Sequence, residues 1–170
     1  MDARGAYDYE GQAFPLTFSC FNRRRLLDDD AAKGIVVSVL TSQLSKHKGK
    51  CLGFVVMPDH VHALVWFSSA NQISSFVKQW KRLTSFWIKK NLIEKQERYL
   101  QEMSINDPVW QRRYYSFNIY SDDKIQEKLN YMHNNPVKAG LVERPEEWQF
   151  SSARHFILGQ PVGVEIGTPG

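Results

Sequence analysis

Apolar and polar positions along this chain follow two periods. AFPLTFSCF, residues 13–21, is rich in aromatic and β-forming side chains and predicts a first strand. DDDAAKGIVVSVLTSQLSKH, residues 28–47, predicts a helix with acids at its start and with Lys46 and His47 near its end, where the helix dipole favours each sign. KCLGFVVMP is a buried strand stopped by Pro58. HVHALVWF follows as its hairpin partner, with Pro58 and Asp59 in the turn. NQISSFVKQWKRLTSFWIKKN gives the clearest helical pattern: Ile73, Phe76, Val77, Trp80, Leu83 and Trp87 form one stripe at i, i+3, i+4 spacing. VWQRRYYSFNIY predicts another strand. SDDKIQEKLNYMHNN predicts a last helix, capped by Ser121, opened by Asp122 and Asp123, and ended by Pro136.

The order is strand, helix, strand, strand, helix, strand, helix. Strands joined by a tight turn pair antiparallel. The expectation is an α+β fold: a ferredoxin-like antiparallel sheet with helices packed mainly on one face. The 170 residues suit a single domain, with residues 1–12 and 159–170 as loose or docking tails.

Composition narrows the function. No apolar run approaches the roughly 20 residues that span a bilayer, and MDARGAYDYEGQAF is too polar and acidic for a secretory signal. The two cysteines, Cys20 and Cys51, form no CxxC pair, which argues against a disulfide framework or a thiolate zinc site and for a reducing cytoplasm. Net charge is +4, and the cations cluster: Arg23, Arg24 and Arg25; Lys78, Lys81 and Arg82; Lys89 and Lys90; Arg112 and Arg113. Cations interleaved with aromatics such as Trp110, Tyr114 and Tyr115 suit phosphates and unstacked bases.

The candidate chemistry sits in GFVVMPDHVHALVWF. Side chains alternate on a strand, so His60 and His62 share one face while Val61, Ala63 and Val65 share the other. Two neighbouring imidazoles can grip one divalent ion and leave open positions on it, as a Lewis-acid site does. Tyr131 and Asn135 are four apart and would share a helical face, placing a phenol and an amide one turn from each other. A residue preceding proline is pushed from helical angles, so Asn134 rivals Asn135 at this point. His133 and His155 read as a helix-surface position and a tail residue.

VVMPDHVHALV, then WQRRYYSF after a basic helix, then YMHNNPVKAGLV and WQFSSA, resemble the REP-associated tyrosine transposases. These are relatives of the insertion-sequence single-tyrosine transposases in the HUH endonuclease superfamily. The resemblance implies that His60 and His62 are the paired metal ligands, Tyr131 the nucleophile and Asn135 the group completing the metal site. Asp59 takes a place often held by Asn or Glu and should be harmless. WQRRYY matches a Trp-Gln-x-Arg-like element through Trp110, Gln111 and either Arg112 or Arg113. The implied reaction is cleavage and rejoining of single-stranded DNA through a 5′-phosphotyrosine, with Mg²⁺ or Mn²⁺, on palindromic hairpins of REP type. The enzyme would be a monomer or homodimer associated with the nucleoid. Two other classes stay open on sequence: a hydrolytic metallonuclease in which Tyr131 only packs, and a non-catalytic single-strand binding module.

Overall fold

The computed structural model describes residues 12–95, 106–116, 119 and 121–169, with Tyr115 and Ser116 described by backbone alone. In chain order the elements are β1 (Gln12–Ser19), α1 (Asp30–His47), β2 (Lys50–Val56), β3 (His60–Phe67), α2 (Ile73–Lys95), β4 (Tyr115–Ser116), α3 (Asp122–Lys138) and α4 (Ala153–Leu158). The sheet order is β2-β3-β1-β4 and every pairing within it is antiparallel. β1 and β2 therefore run the same way with β3 between them, the ferredoxin-like order the sequence predicts.

Two layers of side chains leave the sheet. Phe14, Leu16 and Phe18 of β1, with Val61, Ala63, Val65 and Phe67 of β3, pack under α1 and α2 in the main core. Phe18 lies edge-on to Trp80 at 4.8 Å and to Trp110 at 4.7 Å, the arrangement the ring quadrupoles prefer. The opposite face carries a smaller core, where Leu52, Val55, Leu64 and Trp66 meet Leu129 and Met132 of α3. Register slips between Cys51 and Gly53. A Cβ at Gly53 would collide with Leu129, so this glycine lets α3 approach the sheet.

α1 begins as its acids suggest: the Asp29 carboxylate accepts from Ala32 N at 2.8 Å. The buried stripe of α2 departs from expectation. It runs through Phe76, Val77, Trp80, Thr84, Ile88 and Leu92, and Trp87 is 44% exposed. Thr84 takes the inward place because its hydroxyl is satisfied there. It donates to Trp80 O at 2.7 Å and accepts from Trp110 Nε1 at 2.9 Å.

The predicted strand over 109–120 is mostly not a strand. Among the described residues, the bridges Cys20–Trp110 and Ala13–Ile119 join it to the sheet beyond the two residues of β4. The consecutive exposed pair Arg112–Arg113 breaks any inside–outside alternation. Residues 117, 118 and 120 lie outside the described residues.

Pro136 does not end α3, which continues to Lys138. A proline this close to a helix end removes one ladder bond only. Ala139 N still bonds Asn135 O at 2.9 Å, and Leu141 N bonds Pro136 O at 3.0 Å.

The chain after α3 docks on the free edge of β2. Val56 N donates to Phe150 O and Ser152 N to Phe54 O, each at 2.9 Å, and Gly167 N donates to Cys51 O at 2.8 Å. Trp148 Nε1 reaches Val56 O at 2.9 Å. The buried Lys33 ammonium lies over the rings of Trp148 and Phe150 at 5.5 and 5.6 Å, tying α1 to the same segment.

Candidate active site

His60 and His62 stand on the α3 face of β3, ring edge against ring face, with centroids 4.8 Å apart. The register sets Ser19 opposite His60 and Thr17 opposite His62. His60 Nδ1 lies 2.7 Å from Asp59 Oδ1. An ionised carboxylate only accepts, so Nδ1 carries the proton and Nε2 of the neutral ring keeps its lone pair. His62 Nδ1 lies 2.9 Å from Thr17 Oγ1, and its Nε2 lies 3.0 Å from Asn135 Nδ2. With the amide placed so, the Thr17 hydroxyl accepts from Nδ1–H, and the Nε2 lone pair of His62 accepts from the Asn135 amide. Burial first, then the His60 and Arg23 charges, pull the His62 pKa down to about 4. That ring is neutral at physiological pH.

α3 supplies the rest. Its Leu129 and Met132 seat it on the sheet, and the 3.6-residue repeat then turns Tyr131 and Asn135 to the histidines. The rings of His62 and Tyr131 are 5.8 Å apart at 86°. Tyr131 is 56% exposed, so its hydroxyl is open to a macromolecular substrate. Pro15, Thr17, His62, Lys128, Tyr131 and Met132 line a cavity of about 310 Å³ beside it. Asn134, the rival amide, is exposed and lines a different hollow with His133 and Phe156. Asn135 keeps its place because Pro136 leaves α3 unbroken.

The donor set fits a divalent cation. Both imidazoles have Nδ1 engaged by an oxygen, as outer hydrogen bonds do at metal centres, and Nε2 of His62 meets the Asn135 amide. That amide can present its oxygen to the same nitrogen's surroundings after a flip. Among the described residues no three His, Cys, Asp or Glu side chains gather to hold an ion, so the donors here are two imidazoles and an amide.

The basic residues divide. Arg23 Nε meets Asp59 Oδ2 at 3.2 Å, Arg24 meets Asp107 at 3.2 Å and Arg25 meets Asp28 at 2.9 Å. Lys81 donates to Gln111 O at 2.8 Å, and Arg82 bonds Gln79. Lys78, Arg112 and Arg113 are exposed. Gln111 N bonds Ser19 O at 2.8 Å, and Ser19 pairs with His60, so the Arg112–Arg113 turn lies at the histidine end of the sheet. Trp110 cannot stack on a base, since it is buried against Phe18. Tyr114 lies half-buried under Lys81 at 5.9 Å, and the side chain of Tyr115 lies outside the described residues.

His133 is not a surface residue. Its Nε2 meets the buried Ser152 hydroxyl at 2.7 Å, and burial pulls its pKa down to about 4. Ser152 Oγ also accepts from Phe54 N at 2.9 Å, so this latch joins α3 to the segment on the β2 edge. Sequence reasoning also missed Thr17 as the partner of His62 and Arg23 as the partner of Asp59. Alternation puts Thr17 on the right face, but only the strand register reveals its partner.

An antiparallel α+β sheet with paired imidazoles on one face, and a helix that sets a tyrosine beside them, frames the candidate active site. The chain belongs to the IS200-like transposase family, whose model matches residues 9–135, and it is a DNA transposase. It is 26% identical over 130 residues to a Haemophilus influenzae protein assigned as a REP-associated tyrosine transposase, covering 72% of this chain and 73% of that one. Its fold is similar to that of a REP-associated tyrosine transposase solved bound to a REP hairpin: TM-score 0.66 and 18% identity, over 94% of this chain and 89% of that one. It is also similar to a Deinococcus radiodurans protein assigned as a transposase, at TM-score 0.54 and 19% identity, over 73% of this chain and 90% of that one. Among the described residues no helix is long and apolar enough to cross a membrane.

Proposed function

We propose that this transposase cuts and rejoins single-stranded DNA at hairpins of REP type through a 5′-phosphotyrosine on Tyr131. The observation that carries the reading is convergence. The Tyr131 ring and the Asn135 amide of α3 both meet His62 of β3, Asn135 from 73 residues along the chain; His60 stands beside His62, and Tyr131 and His62 line one open cavity. The solved relative bound to a REP hairpin supports the substrate class.

His60, His62 and Asn135 would hold Mg²⁺ or Mn²⁺, and Mn²⁺ suits nitrogen ligands better. Bound there, the cation neutralises charge gathering on the scissile phosphate. Tyr131 Oη attacks phosphorus, the bond to the 3′-oxygen breaks, the phenol proton leaves to solvent and the 3′-oxygen takes one up. The phosphodiester energy stays in the new ester, so rejoining needs no nucleotide cofactor. Arg112 and Arg113, at the histidine end, lie where they can meet backbone phosphates, with Lys78, Lys81 and Arg82 further along α2. The whole constellation lies within one chain, which favours cleavage by a single protomer.

Hairpin-bearing single-stranded DNA with Mn²⁺ on a denaturing gel tests this. The wild type should give a covalent protein–DNA band and Tyr131→Phe none. Cleavage without a covalent band, retained in Tyr131→Phe, would mean that water is the nucleophile.

A further inference from the structure

Asp59 reads from sequence as a turn residue, and Arg23 as one cation in a basic run. The structure gives them another task. Asp59 is bonded on both oxygens: Oδ1 to His60 Nδ1 at 2.7 Å and Oδ2 to Arg23 Nε at 3.2 Å. Arg23 is held in turn, its guanidinium donating to Ser19 Oγ at 2.7 Å.

The backbone that delivers Arg23 is unusual. Asn22 and Arg23 both have left-handed angles, φ 54° and 56°. Non-glycine residues rarely adopt these angles, and they persist where the surroundings over-determine them. Here they fold the chain after β1 back onto the hairpin turn. Cys20 N bonds Asp59 O at 2.8 Å and Leu27 N bonds Pro58 O at 2.9 Å, fixing loop and turn together. Arg24 and Arg25 leave this turn toward Asp107 and Asp28, while Arg23 pairs with Asp59 beside His60.

We infer that Asp59 and Arg23 are positioning residues for the cation site: Arg23 fixes the Asp59 carboxylate, and Asp59 fixes the tautomer and tilt of His60 so that Nε2 faces the cation. This rests on the reading of His60 as a ligand given above. Its physical ground is that an imidazole anchored through Nδ1 is already oriented and loses little freedom on ligation. The inference moves Arg23 from phosphate contact to support of the site.

The test uses full-length protein and Mn²⁺ alone. Affinity is read from the electron paramagnetic resonance of free Mn²⁺, and hairpin DNA binding is measured separately in EDTA. Asp59→Ala should weaken Mn²⁺ by about 10–100-fold. Asp59→Asn, whose amide oxygen still accepts from Nδ1–H, should recover most of that loss, and Arg23→Ala should lose less than Asp59→Ala. DNA binding in EDTA should match the wild type in all three. His60→Ala is the reference. If it binds Mn²⁺ like the wild type, the ligand assignment itself fails. If it loses Mn²⁺ while Asp59→Ala does not, the positioning role is overturned and the ligand assignment stands. Arg23→Ala that keeps its Mn²⁺ affinity but binds DNA more weakly in EDTA would return Arg23 to phosphate contact. Asp59→Ala that fails to fold leaves the decision to Asp59→Asn and Arg23→Lys. Loss of Mn²⁺ affinity in Asp59→Asn as deep as in His60→Ala would show that the carboxylate ligates directly, against this inference.

Discussion

Phe18 and Thr17 are consecutive on β1 and serve different purposes. Phe18 points under α1 and α2, wedged between Trp80 and Trp110 in hydrocarbon that runs the length of the sheet. Thr17 points to the other face and meets His62. That second face is divided along β3: Leu64 and Trp66 belong to the core under α3, and one step further His62 lines the open cavity with His60 beside it. One side of the sheet holds the molecule together. The other side holds the helix that carries Tyr131, and stops packing where the chemistry begins. A rigid, fully packed layer behind an open one is what fixes a site to fractions of an ångström.

Substitutions can separate the two faces. The largest expected effect is Phe18→Ala, which should cost about 3–5 kcal/mol in denaturant unfolding, with the Mn²⁺ affinity of the folded fraction unchanged. Next is acid. His133 titrates near 4 in the fold and near 6.5 unfolded, so its folded pKa is depressed and the unfolded chain binds more protons between those values. Stability should fall as pH drops from about 6.5 to 4, by at most about 3 kcal/mol from this group. Melting curves of His133→Gln should be flatter over that window than those of the wild type, and equal slopes would remove His133 from the account. Gly53→Ala drives a methyl group into Leu129 and should cost about 1–3 kcal/mol as α3 is forced off the sheet. Because α3 carries Tyr131, covalent adduct yield should fall even at temperatures where the variant is folded. The smallest effect on stability is Thr17→Val, about 1 kcal/mol for one hydrogen bond. Its Mn²⁺ affinity should nevertheless drop by about tenfold. A Thr17→Val protein with intact metal affinity would break the division of faces proposed here.

Much of this was legible in the sequence. The acids opening α1, the hairpin at Pro58–Asp59 and the shared face of His60 and His62 are local matters, settled by capping, turn chemistry and a period of two. The tyrosine and amide on one helix follow from a period of 3.6. What was not legible depends on register and on the third dimension. Trp87 belongs to the apolar stripe by spacing, yet Thr84 and Ile88 take the inward places because Trp110 brings a donor to Thr84. Trp110 sits in a basic, aromatic segment and is core all the same. Pro136 reads as a stop, although so near a helix end it costs one bond. His133 looks exposed until Ser152 arrives from 19 residues on. Arg23 reaches Asp59 only through two left-handed residues, which no pattern of apolar positions announces.

The docked segment after α3 has one more consequence. β2 would otherwise be the bare margin of the sheet, its outward amides and carbonyls a template for any extended chain. Residues 150–152 and 167 use up part of that template. A chain cut short before Trp148 would keep its histidines and its tyrosine but gain an adhesive border. It should be lost to self-association, visible by light scattering, before it is lost as a catalyst.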